Sequence, residues 1–214
     1  MNPTLIIIAG CNGSGKSTFS KAIIDNPYYL NPILIDGDKL YAEEYEKLRD
    51  SEFREAFAKA ATTRNFNEIK NNSIEENNSF SYETNFNTSP EKIIEEFRNK
   101  GFKIHLHYLC LLNVPQAIDR VDQRVEQGGH FVYQDEIEQR FIDGYKNLNN
   151  LYKIADTTFV YDSSQNNKDI QEIARFKLGK LISYDKDSRL LNTIRELHEL
   201  VTDIQKQSTL AKNN

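Results

Sequence analysis

Apolar residues fall in two rhythms along this chain, and the switches between them mark its elements. Leu5-Ile6-Ile7-Ile8-Ala9 is apolar at every position, the pattern of a strand covered on both faces. From Ser17 to Asp25 the spacing lengthens, and Phe19, Ala22, Ile23 and Ile24 predict a short helix. It should end near Asn26-Pro27, because proline disfavours α conformation in the residue before it. Pro32 to Asp36 is a second short buried strand. Leu40 to about Asn72 has helical spacing but is more polar, with Tyr41, Tyr45, Leu48, Phe53 and Phe57 among acids and lysines. Phe80 to Phe86 alternates aromatic with polar, which predicts a half-buried strand. Ser89-Pro90-Glu91 predicts a helix capped by Ser89, carrying Ile93, Ile94 and Phe97 to a stop at Gly101. Lys103 to Leu112 is a further strand with His105 and His107 on one face. Two histidines without a third ligand nearby predict a solvent-facing or helix-covered surface rather than a metal site. Val114-Pro115 opens a helix that breaks at Gly128-Gly129-His130, and another follows from about Gln134 through Ile137, Phe141, Tyr145 and Leu148. Thr157 to Tyr161 reads as the last sheet strand, and the residues around Gly179 as a small hairpin. Leu190, Leu191, Ile194, Leu197, Val201 and Ile204 predict one amphipathic C-terminal helix before a polar tail. Strands alternating with helices in this way predict an α/β fold, three-layered, with a mostly parallel sheet.

The chemistry gathers where predicted strands end. After the first comes Gly10-Cys11-Asn12-Gly13-Ser14-Gly15-Lys16-Ser17-Thr18, a P-loop. Its glycines let backbone N–H groups turn inward as an anion nest, where a Cβ would block phosphate oxygens. Lys16 supplies a point charge for the β- and γ-phosphates, and Ser17 offers a hydroxyl to Mg²⁺. The second strand ends in Asp36-Gly37-Asp38, carboxylates at the sheet edge where open α/β sheets bind ligands. One acid is expected on Mg²⁺ and the other on the substrate hydroxyl, the bland alternative being a helix cap with Asp38 leading into Lys39-Leu40-Tyr41. Glu83, Thr84 and Asn85 end the third strand in the same way. Arg120 and Arg124 lie one turn apart on one helix and Arg140 sits on the next, so the segment of about 114–145 reads as an arginine-bearing lid on a Gly-Gly hinge. The alternative is that these arginines pair with Asp119, Asp122 and Glu138 on a solvated surface.

Composition narrows the setting. At 214 residues the chain suits one domain of about 1–184, with a helical insertion at about 39–78 and a C-terminal helix and tail at 185–214. Twelve Phe and 11 Tyr supply a core, so no disulfide is needed, and the two cysteines, Cys11 and Cys110, read as reduced thiols. A net charge of −5 argues against a broad nucleic-acid or anionic-membrane surface. With no basic leader and no apolar run near the roughly 20 residues of a membrane span, a cytoplasmic setting is expected.

Read in order, these segments resemble the zeta-toxin-like P-loop kinases, which include UDP-N-acetylglucosamine kinases of toxin–antitoxin systems. The resemblance covers about Leu5 to Phe141. Its pieces are Ala9 to Thr18, Ile35-Asp36-Gly37-Asp38, Glu83-Thr84-Asn85, Gly101-Phe102, Arg120 to His130, and Ile137 with Arg140. Tyr133 stands where that group commonly has proline. The resemblance implies a kinase that holds ATP or GTP on the loop and Lys16, and Mg²⁺ on Ser17 and Asp36. Asp38 would be the base and Glu83 would help hold the substrate. Arg124, or alternatively Arg120, would reach the transferring phosphate together with Arg140. The acceptor it implies is a small-molecule hydroxyl, a nucleotide sugar such as UDP-N-acetylglucosamine first, with an antitoxin-like protein as a partner. An ATP-hydrolysing switch or ABC-like ATPase is the rival reading. Against it, the chain has no Leu-Ser-Gly-Gly-Gln signature and no apolar strand ending in Asp-Glu. A third reading, a regulatory nucleotide binder, would use the C-terminal helix as its docking face.

Overall fold

The computed structural model describes residues 2–29, 32–129, 131–165, 169–199 and 201. His130, the polar loop at 166–168, Ile204 and the tail lie outside the described residues. The apolar run becomes β1 (Thr4–Ala9), buried at every position and flanked on both sides by parallel strands. With β2 (Ile33–Ile35), β3 (Phe80–Thr84), β4 (Lys103–Cys110), β5 (Thr157–Asp162), β6 (Gln171–Lys177) and β7 (Lys180–Tyr184) it forms one sheet in the order β2-β3-β1-β4-β5-β6-β7. The first five strands in that order are parallel; β6 and β7 are antiparallel additions. β5 is therefore not the last sheet strand, and the predicted hairpin extends the main sheet instead of standing apart. Its two-residue turn, Leu178-Gly179, has φ of +48° and +75°, the primed geometry that matches strand twist.

Helices cover both faces. On one, α1 (Lys16–Ile24) and the residues after it bury Ile23 and Tyr29 against Ile6, Ile8 and Leu109. On the other, Leu5, Ile7, Phe80, Ile104 and Leu106 meet Ile94 and Phe97 of α4 (Glu91–Asn99) and Tyr145, Leu148 and Leu151 of α6 (Gln134–Leu151). Two covered faces explain why β3 is not half-buried: Ser81 is as inaccessible as Phe80 and Tyr82 is nearly so. α4 starts without the expected Ser89 cap, since Pro90 takes the cap position and no side chain bonds there. It stops as expected. The N–H groups of Gly101 and Phe102 return to the carbonyls of Arg98 and Phe97, and the Phe102 ring meets Phe97 at 4.9 Å.

The polar insertion is two helices, α2 (Gly37–Glu46) and α3 (Arg54–Glu75), with Phe66 of α3 against Phe80 and Tyr82. His105 and His107 are covered, not solvent-facing. The Tyr29 hydroxyl lies 2.9 Å from His105 Nδ1 and 3.1 Å from His107 Nε2, and Phe159 stacks on His107. Burial pushes both imidazoles down, to about 4 for His105 and about 3 for His107, so at neutral pH both are uncharged. The C-terminal segment is not one helix. α7 (Arg189–Thr193), capped by the Ser188 hydroxyl, ends at an extended Ile194, after which 195–199 are helical again. Leu190, Leu191, Ile194, Leu197 and Val201 all enter the main core, so these residues offer no free docking face. No helix among the described residues is long and apolar enough to cross a membrane.

Candidate active site

Parallel strands deliver their C-terminal ends to one edge, and there the expected residues meet. Residues 10–15 link β1 to α1. Added side chains would clash at Gly10, 2.6 Å from the Leu109 carbonyl, and at Gly13, 2.9 Å from the Ala117 carbonyl. These two glycines thus answer to the packing of β4 and of α5 (Val114–Glu126) on the loop as well as to any phosphate. Gly15 is different: at φ +84° it faces open space, with nothing within 4 Å of an added Cβ. That is the cradle an anion nest requires. The Lys16 ammonium donates to Gly10 O at 2.8 Å, Cys11 O at 3.1 Å and Asn85 Oδ1 at 2.9 Å. Burial lowers its pKa from the ordinary lysine value, opposed by the negative charges of Glu83 and Asp38.

A cavity of about 220 Å³ opens over this loop, lined by Lys16, Ser17, Asp38, Glu83, Arg120 and Arg124 among others. Asp36 is the N-cap of α2, its Oδ1 accepting from Asp38 N–H at 3.1 Å and Lys39 N–H at 3.2 Å. The cap expected near Asp38 thus falls two residues earlier, and Asp38, freed from capping, turns into the cavity from the first helical turn. Glu83, expected to help hold the substrate, and Arg120, the alternative to Arg124 at the transferring phosphate, both have hydrogen-bond partners in the P-loop region. The Glu83 carboxylate is bonded to the P-loop helix, accepting from the Ser17 hydroxyl at 2.8 Å and the Ser20 hydroxyl at 2.7 Å. Burial raises its pKa, and the two hydroxyls hold it down in part. Arg120 Nη1 lies 3.3 Å from Gly13 O, on the nucleotide side. Ser20 is the member of this group that spacing missed, and its place one turn after Lys16 was the available signal. Thr84 and Asn85 line an adjoining cavity with Lys16, Asp36, Asp38 and Glu83.

The arginines are already at the loop. Arg124 and Arg120 line the cavity, while Arg140 reaches Asn12 Oδ1 at 3.1 Å and pairs with Glu136 at 2.7 Å. None of Asp119, Asp122 and Glu138 appears in a salt bridge with them among the described residues. At the Gly-Gly break the end of α5 is closed by backbone hydrogen bonds. Gly128, at φ +86°, and Gly129 return their N–H groups to Val125 O and Arg124 O, both at 2.9 Å. Beyond it Tyr133, in the position of the family's proline, holds φ −65°, the angle a proline ring fixes, and α6 starts at the next residue as expected. Both ends of the segment are anchored, since Val121, Val132 and Ile137 pack with Cys11 and Leu111, and the Tyr145 hydroxyl donates to Leu111 O at 2.9 Å. Burial pushes the Cys11 thiol up to about 11, which leaves it un-ionised and a poor nucleophile.

The residues present suit a small hard cation. Ser17 and the Glu83 and Asp36 carboxylates are oxygen donors of the kind Mg²⁺ takes while keeping waters and phosphate oxygens. No group of three or more His, Cys, Asp or Glu that could hold a metal ion is present among the described residues.

Comparison with known proteins gives a family model, described as Zeta toxin, that matches residues 1–175. An uncharacterised protein of Haemophilus influenzae is 29% identical over 147 residues, 66% of this chain and 94% of that protein. Among solved structures, one from the PezAT chromosomal toxin–antitoxin system of Streptococcus pneumoniae aligns with TM-score 0.60 at 14% identity, covering all of this chain and 88% of that one. The AvrRxo1-ORF1:-ORF2 structure with ATP aligns with TM-score 0.66 at 11% identity over 95% of this chain, which spans only 63% of that one. At such identities the structural likeness speaks for the fold.

Proposed function

The chain belongs to the zeta toxin family and is a phosphotransferase with a hydroxyl acceptor, and from that premise we propose that it moves the γ-phosphate of ATP, or GTP, to a small molecule at the Asp38 carboxylate. The observation that carries this reading is the convergence of Lys16, Asp38, Glu83, Arg120 and Arg124 on one cavity over the P-loop. An ATPase needs donor-side groups only, whereas Asp38 supplies an acceptor-side base.

The loop N–H groups and Lys16 hold the triphosphate, the lysine exchanging its carbonyl partners for β- and γ-oxygens. Ser17, with Asp36 and Glu83 behind it, would hold Mg²⁺, which would supply neutralisation of the charge that develops on the phosphates. Asp38 orients the acceptor hydroxyl and takes its proton. The hydroxyl oxygen forms its bond to the γ-phosphorus as the bond to the β–γ bridging oxygen breaks, and the nucleoside diphosphate leaves with that electron pair. Arg124 and Arg120 meet the charge spread over the equatorial oxygens, each a contribution of roughly 10³ in rate or more. Arg140, fixed by Asn12 and Glu136, closes the outer rim. The segment 114–145 acts as a lid that needs little travel. The resemblance nominates a nucleotide sugar such as UDP-N-acetylglucosamine as first acceptor to assay, and an antitoxin-like protein as the partner that would block the cavity.

The test is transfer of label from γ-labelled ATP into an acceptor pool. A phosphorylated product is expected, its rate falling about 10²- to 10⁴-fold in Asp38→Asn while ATP affinity stays within a few-fold. Transfer to water alone, equal in wild type and Asp38→Asn, would return the protein to the ATPase class.

A further inference from the structure

One face of α6 runs along the rim of the site and touches the loops that leave two paired strands, β1 and β3. Arg140, Gly144 and Asn147 recur at one-turn spacing and so share that face. Arg140 meets Asn12 of the P-loop. Gly144 lets the helix come close, since an added Cβ would stand 2.6 Å from the Tyr108 hydroxyl and 3.8 Å from the Asn85 carbonyl oxygen. Asn147 Nδ2 donates to the Phe86 carbonyl at 2.6 Å. The first contact serves the phosphate end, and the other two grip the chain just past β3.

That grip falls on a strained residue. Phe86 is held at φ +60°, left-handed backbone that a bulky L side chain rarely adopts. Three contacts fix it: its N–H donates to the Thr84 hydroxyl at 3.0 Å, its carbonyl accepts from Asn147, and its wholly inaccessible ring lies 5.8 Å from that of Tyr108, centroid to centroid. A conformation so disfavoured persists only where its surroundings over-determine it, and such places gather at functional sites. The neighbour it steers is Asn85. Thr84 pairs with Ala9 across the sheet, so Asn85 and Gly10 leave their strands side by side, and Asn85 Oδ1 accepts from the Lys16 ammonium at 2.9 Å. An ammonium carries no acceptor, so the amide must turn its oxygen to it. Of the three acceptors that hold Lys16, two are carbonyls of the P-loop, and Asn85 alone comes from another strand.

Resting on the kinase reading, we propose that Asn147 is a positioning residue for phosphoryl transfer. By holding the Phe86 carbonyl it keeps the left-handed turn closed and Asn85 on Lys16, so the ammonium stays aimed when β- and γ-phosphate oxygens replace its two loop carbonyls. Without the Asn147 donor the Phe86 peptide swings toward ordinary backbone, where its carbonyl finds water, and Asn85 moves with it. Lys16 is then a charge in the right cavity without a fixed direction. α6 thus braces the phosphate from two sides, through Arg140 on the P-loop and through Asn147 on the end of β3, and neither asparagine makes or breaks a covalent bond.

The full chain is titrated by calorimetry with ATP and Mg²⁺, no acceptor present, as wild type, Asn147→Leu, Asn85→Ala and the double variant. Asn147→Leu keeps the bulk and removes the donor; Asn147→Ala takes its place should the leucine variant fail to melt cooperatively. Each single change should weaken ATP binding about tenfold, and the double variant should stay within about twofold of Asn85→Ala alone, because residues that act through one another are not additive. Melting temperature separates this from simple propping of the fold: Asn147→Leu should lower it in both backgrounds, whereas its effect on ATP vanishes in one. Losses of ATP affinity that multiply in the double variant, or an affinity unchanged in Asn147→Leu, would overturn the positioning role and leave the kinase reading standing. Absence of ATP binding by the wild-type chain would remove the kinase reading, and the role of Asn147 with it.

Discussion

Gly129 occupies ordinary backbone, outside the left-handed region, yet no side chain fits there. A Cβ would stand 2.6 Å from Arg124 Cγ and 2.8 Å from its carbonyl oxygen. The glycine thus sets where the Arg124 side chain runs on its way to the nucleotide cavity. Gly129→Ala should lower kcat/KM about tenfold or more, since misplacing a positioned group by about 1 Å can cost as much as 10²-fold. In an Arg124→Ala background the same change should cost almost nothing further, and a steady-state double-mutant cycle reads the difference. His105 and His107 make a prediction of another kind. Their folded pKa values, about 4 and about 3, lie below the ordinary 6.5, so the unfolded chain binds more protons as pH falls from about 6.5. Stability is then complete above that range and declines below it, by roughly 3 kcal/mol for a histidine whose shift has been fully traversed. Urea midpoints measured between pH 7 and pH 4.5 should fall, and fall less steeply in His105→Phe/His107→Phe. That both histidines would be neutral and enclosed was not legible in their spacing. Tyr29, which encloses them, lies 76 residues from His105 in sequence, and periodicity does not say what covers a face.

At the level of elements, the hairpin between β6 and β7 contains a strained choice. Leu178 is held at φ +48° while its side chain is 63% exposed, so it bears a left-handed conformation with little packing in return. Leu178→Asn should stabilise the protein by up to about 1 kcal/mol. A thermal melt should register a rise of roughly 2–4 °C. The glycine beside it gave the hairpin away in the sequence, as the P-loop gave away α1 and Gly101 the end of α4. These signals are local: a backbone angle or a missing donor that one residue type satisfies. The elements misjudged were those decided at a distance. β3 alternates aromatic and polar residues but is buried on both faces because helices cover each, and its Ser81 lies wholly inside. That Glu83 bonds to α1 while Asp36 caps α2 was hidden for a similar reason. Both sit at strand ends, and only the neighbouring α1, with Ser17 and Ser20, decides which carboxylate is drawn to the loop.

Across the whole molecule, the family match ends at residue 175 but the core does not. Phe176, Leu190, Leu191, Ile194, Leu197 and Val201 are all buried in the same cluster as β1 and β4. At about 1.5–3 kcal/mol for each large apolar side chain, their burial sums to on the order of 10 kcal/mol, comparable with the 5–15 kcal/mol that hold an ordinary domain together. A 1–175 fragment should accordingly bind a hydrophobic dye strongly and lose the cooperative melt of the full chain. The apolar periodicity of this segment was plain in the sequence; its kink at Ile194 and its destination were not, since both depend on the wall it packs against. These described residues past 175 are thus masonry for the sheet that carries the phosphate-handling edge. A shortened gene designed from family boundaries would deliver insoluble material, and its silence in a toxicity screen would report broken architecture instead of missing chemistry.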